Sequence, residues 1–586
     1  HLLAGETYTL VEQVAPAGHA LQGAPCSFMV SSNGTVRLVE PVVEGAVTVA
    51  PAGRGLVAHD VPTSLTLTKV DASDPTKTLA GAVFELLDTA TETKTELTMA
   101  ADGVLELRGK LNVGTPYVLR EVAAPDGYRL DPTPFAFSLA PDGTLVAQDA
   151  GGYRVGADGV SIVASDIRVA PMLYKVSAHG WERLEGAAFR LEGPFTDGSD
   201  SREFITGADG SVVLDGLRAG QSYKLSELRA PSGHTVLAGS IELAVASDGM
   251  LSIVGDAWGG AASVTPDGLG IAVVDDLTML ALRKVDASDP SRSLIGAEFE
   301  LTNLSTGLVR TIAVTDESFG YVFFGELDTG TRYSIRETKA PEGYALDPTP
   351  FAFSVAPDGT LVAQDAGGYR VEAGGLVLTA CDVPLSVDLE KVGSDGEPLT
   401  GAVYALSGVF SDSAGAVQTR TLAFGGGSSL SVGHLLAGET YTLVEQVAPA
   451  GHVCVGAELS FSIDEAGRAV LAEGADASLL TLTGDGRGLV VHDRPTELTL
   501  EKVDASDPTK TLAGAVFELV DVATGEKTDL AVDVDGRLTL RGVLSVGVSY
   551  TLREVEAPEG YELDAIVFAF FLAPDGTLVT QEAGGY

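Results

Sequence analysis

Lysine, glutamate and aspartate recur along this chain at fixed intervals and always in apolar company. Lys69, Lys175, Lys284, Lys391 and Lys502 each end a run in which every second residue is apolar, as in Leu65-Thr-Leu67-Thr-Lys69. Glu12, Glu121, Glu227, Glu337, Glu445 and Glu554 follow Tyr and Leu or Ile at every second position and precede Ala-Pro-x-Gly. Asp60, Asp166, Asp275, Asp382 and Asp493 close runs such as Ile162-Val-Ala164-Ser-Asp166. Alternate side chains of a strand share a face, so all three ionisable types point towards a core. An acid or amine buried alone there is costly. Burial raises the pKa of a carboxyl group and lowers that of an ammonium. A neutral lysine is a nucleophile, and a protonated aspartic acid can lose its hydroxyl as water. A neighbouring glutamate can hold the aspartic proton and shuttle protons during attack. The expected product is a side-chain amide between Lys and Asp. The competing reading is a buried ion cluster with no covalent bond, which desolvation makes a weak stabiliser.

The elements that must position these groups are strands. After the lysine strand comes Gly-Ala-x-aromatic-x-Leu, with Phe84, Phe189, Phe299, Tyr404 and Phe517 on its apolar face. The glutamate strand follows, then in alternate units a Phe-Ala-Phe strand such as Phe135-Ala-Phe137, and last the strand ending in Asp. Asp-Gly pairs such as Asp102-Gly103 and Asp209-Gly210 are hairpin signals. Long amphipathic helical patterns are lacking, and the class expected is all-β.

Successive glutamates are 109, 106, 110, 108 and 109 residues apart, a tandem array with a domain-sized period. Residues 1–19 recur unchanged at 434–452, so two unit types alternate. From each closing Asp to the next Lys is nine positions, which places boundaries in short connectors. The expected organisation is a partial unit at 1–61, whole units at 62–168, 169–277, 278–384 and 385–494, and a partial unit at 495–586. Short connectors predict a semi-rigid, extended rod of β-sandwiches.

The formal charge of −44 argues against nucleic acid or an anionic membrane surface as partner. No stretch long and apolar enough for membrane insertion is present. Cys26, Cys381 and Cys454 occupy non-equivalent repeat positions and form neither a disulfide framework nor a metal-ligand spacing. Asp533-Val-Asp535-Gly loosely matches a calcium loop but lacks the remaining ligands and reads as a turn. No cofactor and no metal are expected.

These motifs resemble the Cna-B-type (SpaA-like, prealbumin-like) domains of Gram-positive surface proteins and pilins. The resemblance runs over essentially the whole chain. It implies prealbumin-like or Ig-like sandwiches closed by spontaneous intramolecular isopeptide bonds. Carried onto this sequence, the cross-links are Lys69–Asp166, Lys175–Asp275, Lys284–Asp382 and Lys391–Asp493. Their catalytic glutamates are Glu121, Glu227, Glu337 and Glu445. Glu12, Asp60, Lys502 and Glu554 belong to incomplete triads. Every acceptor here is Asp, which implies loss of water, not ammonia. His19, His234 and His452 stand where the family's box has Tyr.

The function expected is the stalk of a cell-surface adhesin or fibre, extracellular and anchored to a Gram-positive cell wall. It would be no enzyme beyond single-turnover cross-linking, with neighbouring repeats of the same chain as its contacts. The rival reading is a ligand-binding adhesin that recognises host matrix protein or glycan, through unit-specific loops at 195–204 and 258–265 or through parts of the parent protein outside this chain. A glycosidase using paired carboxylates is a weaker rival, because the acids recur in every unit.

Overall fold

The computed structural model describes residues 1–21, 23–40, 45–580 and 586. Among the described residues every regular element is a strand, as expected for the all-β class. Two compact units divide the chain. One comprises His1–Met279 with Phe324–Gly330 and Val355–Gly359, and the other Leu280–Phe323, Thr331–Ser354 and Thr360–Tyr586.

In the first unit, the module of Lys69 has two facing sheets. One runs in the order Thr93–Thr98, Val83–Asp88, Tyr117–Ala123, Phe135–Leu139, Leu145–Ala147. The other runs Val104–Glu106, Thr66–Asp71, Ser161–Asp166, Tyr153–Val155. Apolar residues at alternate positions of both sheets, among them Leu67, Phe84, Leu119, Phe137 and Ile162, form one dry cluster between them. The same arrangement recurs in the module of Lys175, and in the second unit in the modules of Lys284 and Lys391.

One pairing matters most for the site. The first strand of each module lies parallel to its last, with Lys69 opposite Ala164 and Asp71 opposite Asp166. Lys175 likewise faces Val273, Lys284 faces Ala380 and Lys391 faces Val491. Parallel neighbours need a long crossover. Here the crossover is the whole intervening sandwich.

Residues 1–21, 23–40 and 45–61 contribute a three-stranded sheet, Thr7–Leu10, Cys26–Val30 and Val36–Val39, and the pair Val47–Val49 and Leu56–Ala58. Where a histidine-type box leads into the next module, a buried threonine ties the two together. Thr63 donates its backbone N–H to the Gly18 carbonyl and its hydroxyl to the Leu111 carbonyl. Thr496 repeats this with Gly451 and Leu544. Gly18 and Gly451 have φ of +75° and +77°, and a Cβ on either would collide with the carbonyl of Gly109 or Gly542. Only glycine meets both demands.

Candidate functional site

Two registers build the site. On the box strand, Glu121 pairs with Phe84, with a bulge just beyond, and Glu227, Glu337, Glu445 and Glu554 face Phe189, Phe299, Tyr404 and Phe517 in the same way. On the other sheet, Lys69 and Asp166 lie on one face of neighbouring parallel strands, two residues apart in register. Packing the sheets face to face brings the three groups together.

Lys69 Nζ is 2.8 Å from Glu121 Oε1 and in contact with Asp166 Oδ1. Lys175 is 3.1 Å from Glu227 and touches Asp275. Lys284 is 2.7 Å from Glu337 and touches Asp382. Lys391 is 3.3 Å from Glu445 and 2.5 Å from Asp493. All twelve side chains are buried. Each amine sits over an aromatic ring, at 5.4 Å for Phe84 and 5.1 Å for Tyr404, a face that favours a cation.

The second oxygen of each glutamate is held by a backbone N–H ten residues on. Asp131 donates to Glu121, Leu237 to Glu227, Asp347 to Glu337 and Val455 to Glu445. This fixes the carboxylate plane, leaving the first oxygen aimed at the amine. Burial pushes Glu121 and Glu337 above the usual carboxylate range, even against the attraction of their lysines. Burial likewise raises Asp166, Asp275, Asp382 and Asp493. Each module therefore holds carboxyl groups with an enhanced tendency to carry a proton beside an amine. That pairing allows condensation, because a neutral carboxyl accepts attack and releases water.

The residues of the incomplete triads are placed differently. Lys502 is 2.8 Å from Glu554, but its side chain is 22% exposed. Glu12 and Asp60 are half-buried in a segment that contains no lysine.

Three features escaped the sequence reading. Asp71, two residues after Lys69, is buried and accepts hydrogen bonds from Tyr128 Oη (2.8 Å), Arg168 Nε (2.8 Å) and Ser73. Tyr344 binds Asp286 and Tyr561 binds Asp504 in the same way. Where the box ends in His, the partner changes too: His234 Nε2 lies 3.1 Å from Ser177 Oγ, and Gly393 stands opposite His452. The Tyr/His alternation is thus one half of a pair, and position +2 from each lysine was the available signal. The second feature is Tyr404, whose hydroxyl joins the Lys391 triad. The third concerns the stretch 195–204, read as a surface loop. Ser201–Ile205 is a strand, and Phe195 and Phe204 lie in the module's core with Trp258. Those aromatic rings are packing groups, because burial inside the sandwich outweighs display. Asp533 accepts the backbone N–H groups of Asp535 and Arg537 and closes a turn.

A family model described as SpaA, prealbumin-like fold domain, matches residues 63–151, 172–256, 278–367 and 496–584. The module of Lys391 lies outside those matches yet has the same sheets and triad. Among solved structures, the pilus adhesin SpaC from Lactobacillus rhamnosus GG is similar at 18% identity, covering 71% of this chain and 57% of that one, with a TM-score of 0.30. The Bacillus anthracis TIE protein aligns at 15% identity over 79% of this chain and 73% of its own, with a TM-score of 0.26. BcpA, the major pilin subunit of Bacillus cereus, aligns at 19% identity over 55% and 99%, with a TM-score of 0.20. No curated protein matches the chain. This chain spans 57% of the length of the SpaC adhesin. With more than half of its residues matched by one family model, the chain belongs to the family of SpaA-type prealbumin-like domains.

Proposed function

We propose that this chain is a load-bearing stalk segment of a bacterial cell-surface adhesin or pilus-like fibre, locked by autocatalytic Lys–Asp isopeptide bonds. The observation that carries the proposal is the contact of a buried lysine amine with a buried aspartate in four successive modules, each beside a glutamate. The ammonium gives a proton to the glutamate, and the neutral Nζ attacks Cγ of the protonated aspartic acid. The N–C bond forms, the glutamic acid gives its proton to the departing hydroxyl and takes one from the attacking nitrogen, and the C–O bond breaks with release of one water. The glutamate keeps the proton that the ammonium gave up, and the lysine and aspartate are consumed in the bond, so the chemistry is a single turnover and the protein is not an enzyme in the ordinary sense.

The strand order supports a mechanical role. First and last strands run parallel, so tension entering at one and leaving at the other loads them in shear at the cross-link. The 97 positions between Lys69 and Asp166 are then bypassed. Unlocked, they would extend by roughly 300 Å at about 3.4 Å per residue. The staple needs no redox chemistry, which suits an extracellular location in a chain whose three cysteines are free. Among the described residues no helix is long and apolar enough to cross a membrane. Anchoring to a Gram-positive cell wall is part of the same proposal.

Intact-mass measurement followed by tryptic mapping tests the proposal. The expected result is a chain lighter by one water for each closed triad, with branched peptides joining Lys69 to Asp166 and its three counterparts. An unshifted mass would falsify the cross-link. Force-extension steps of full-module length in the wild-type chain would remove the stalk role even if the bonds were present.

A further inference from the structure

The module of Lys391 departs from the others at the ring beneath its amine. Phe84, Phe189 and Phe299 occupy that register in the other three modules, and Tyr404 occupies it here. The added hydroxyl does not face solvent, since Tyr404 is fully buried. Lys391 Nζ donates to Tyr404 Oη at 2.5 Å, and Tyr404 Oη donates to Glu445 Oε1 at 2.9 Å. The direct distance from amine to glutamate is the longest of the four, 3.3 Å against 2.8, 3.1 and 2.7 Å. The phenol therefore stands between the two groups that must exchange a proton. A buried hydroxyl is costly without partners, and here both of its partners are reacting groups.

We infer that Tyr404 is a catalytic residue of the Lys391–Asp493 cross-link, relaying the lysine proton to Glu445. The inference rests on the cross-linking reading above. In the relay, the Lys391 ammonium passes a proton to Tyr404 Oη while Tyr404 passes its own to Glu445 Oε1. The result is a neutral amine, an unchanged phenol and a protonated glutamic acid. Nζ then attacks Cγ of protonated Asp493, and water leaves as in the other modules. The phenol carries no net charge before or after the transfer. Burial pushes its own ionisation well above the ordinary value, so a standing phenolate is disfavoured and a concerted transfer is the route left. In the module of Lys69 the Tyr153 phenol instead accepts the backbone N–H of Glu121.

The test follows closure of all four bonds in one molecule. The full chain is made by cell-free synthesis, quenched at intervals in denaturing acid and mapped for branched peptides. Tyr404→Phe installs the ring that the other modules already carry. Closure of Lys391–Asp493 is expected to slow by about tenfold, less than the full contribution of a proton-transfer group because the direct 3.3 Å path from amine to glutamate remains. The other three bonds serve as internal clocks and keep their rates. Run in D2O, wild-type Lys391–Asp493 closure is expected to show a larger isotope effect than its neighbours, and Tyr404→Phe to remove the excess. A merely structural role would not move that ratio. Unchanged closure in Tyr404→Phe, or equal isotope effects in all four modules, overturns the relay and leaves the cross-link reading standing. Absence of branched peptides from every module overturns both.

Discussion

Residues Lys69–Leu86 and Lys502–Leu519 are identical over 18 positions, yet the structure treats them differently. Lys69 has a 2% exposed side chain and touches both Glu121 and Asp166. Lys502 pairs with Glu554 at the same 2.8 Å but is 22% exposed. Asp71 is buried among Tyr128, Arg168 and Ser73, whereas the side chain of Asp504 is 18% exposed. The strand Thr66–Asp71 is continuous, while its counterpart is divided into Glu497–Glu501 and Val503–Asp504. What separates the two is Ser161–Asp166, the parallel last strand of the Lys69 module. The amine–glutamate pair thus forms without the closing strand. The dry environment and the acceptor come from a strand nearly a whole module away.

The sharpest way to break this comparison is to remove the glutamate from each copy. Glu121→Ala is expected to leave Lys69 and Asp166 unjoined, so the wild-type loss of one water disappears at that module. Stability of the module should fall by roughly 4–5 kcal/mol, the chain-entropy value for releasing a loop of about 100 residues. Tested on residues 1–586 alone, Glu554→Ala should change the mass by the substitution alone and stability by at most about 1 kcal/mol, the worth of an ion pair with one partly exposed member. Guanidinium unfolding with intact mass on the same samples checks both; equal losses in the two variants would mean that the closing strand is not what matters.

The neighbouring aspartate gives a smaller contrast. Asp71→Ala strands the Tyr128 hydroxyl and Arg168 and should cost about 1–3 kcal/mol. Asp504→Ala should cost less, as expected of a partly exposed pair. The same site carries a pH dependence. Burial raises the Asp71 pKa, but hydrogen bonds from Ser73, Arg168 and Tyr128 outweigh it and hold the carboxyl below the usual range. A folded pKa below the unfolded one stabilises at neutral pH. That contribution declines as pH falls below about 4, the unfolded value. Hydrogen-exchange protection factors in the Lys69 module, taken relative to the intrinsic rate at each pH, should therefore fall on acidification, and Asp71→Asn should flatten the dependence. The smallest effect is expected from the tyrosines. Tyr128→Phe loses one buried hydrogen bond, about 0.5–1.5 kcal/mol. Tyr561→Phe, at a side chain 36% exposed, should be within error in the same denaturation assay.

Much of the site was legible because strand periodicity is a local property. Leu65, Leu67 and Lys69 had to share a face, as did Tyr117, Leu119 and Glu121, whatever lay opposite. The constant nine-position spacing fixed Asp275 as the acid before Lys284, and Asp275 lies against Lys175. The Tyr128–Asp71 pair was missed although position +2 from each lysine changes with the last residue of the box, because its members are 57 positions apart and meet only where the box turn folds over the end of the first strand. Phe195 and Phe204 misled for a related reason. Glycines and aspartates around them signal turns, and nothing local shows that both rings return to the core.

Residues 1–19 and 434–452 mark the limit. The two stretches are identical, and both form a strand at the tyrosine, Thr7–Leu10 in one and Thr440–Val447 in the other. Glu445 is buried against Lys391, whereas Glu12 remains half-buried. Alternation along a strand is set by backbone geometry, so the sequence by itself determined which side chains travel together. Whether that face meets a partner sheet, loses its water and finds an amine depends on strands brought from far along the chain. Desolvation is a property of the assembled core, and only the tertiary structure decided it.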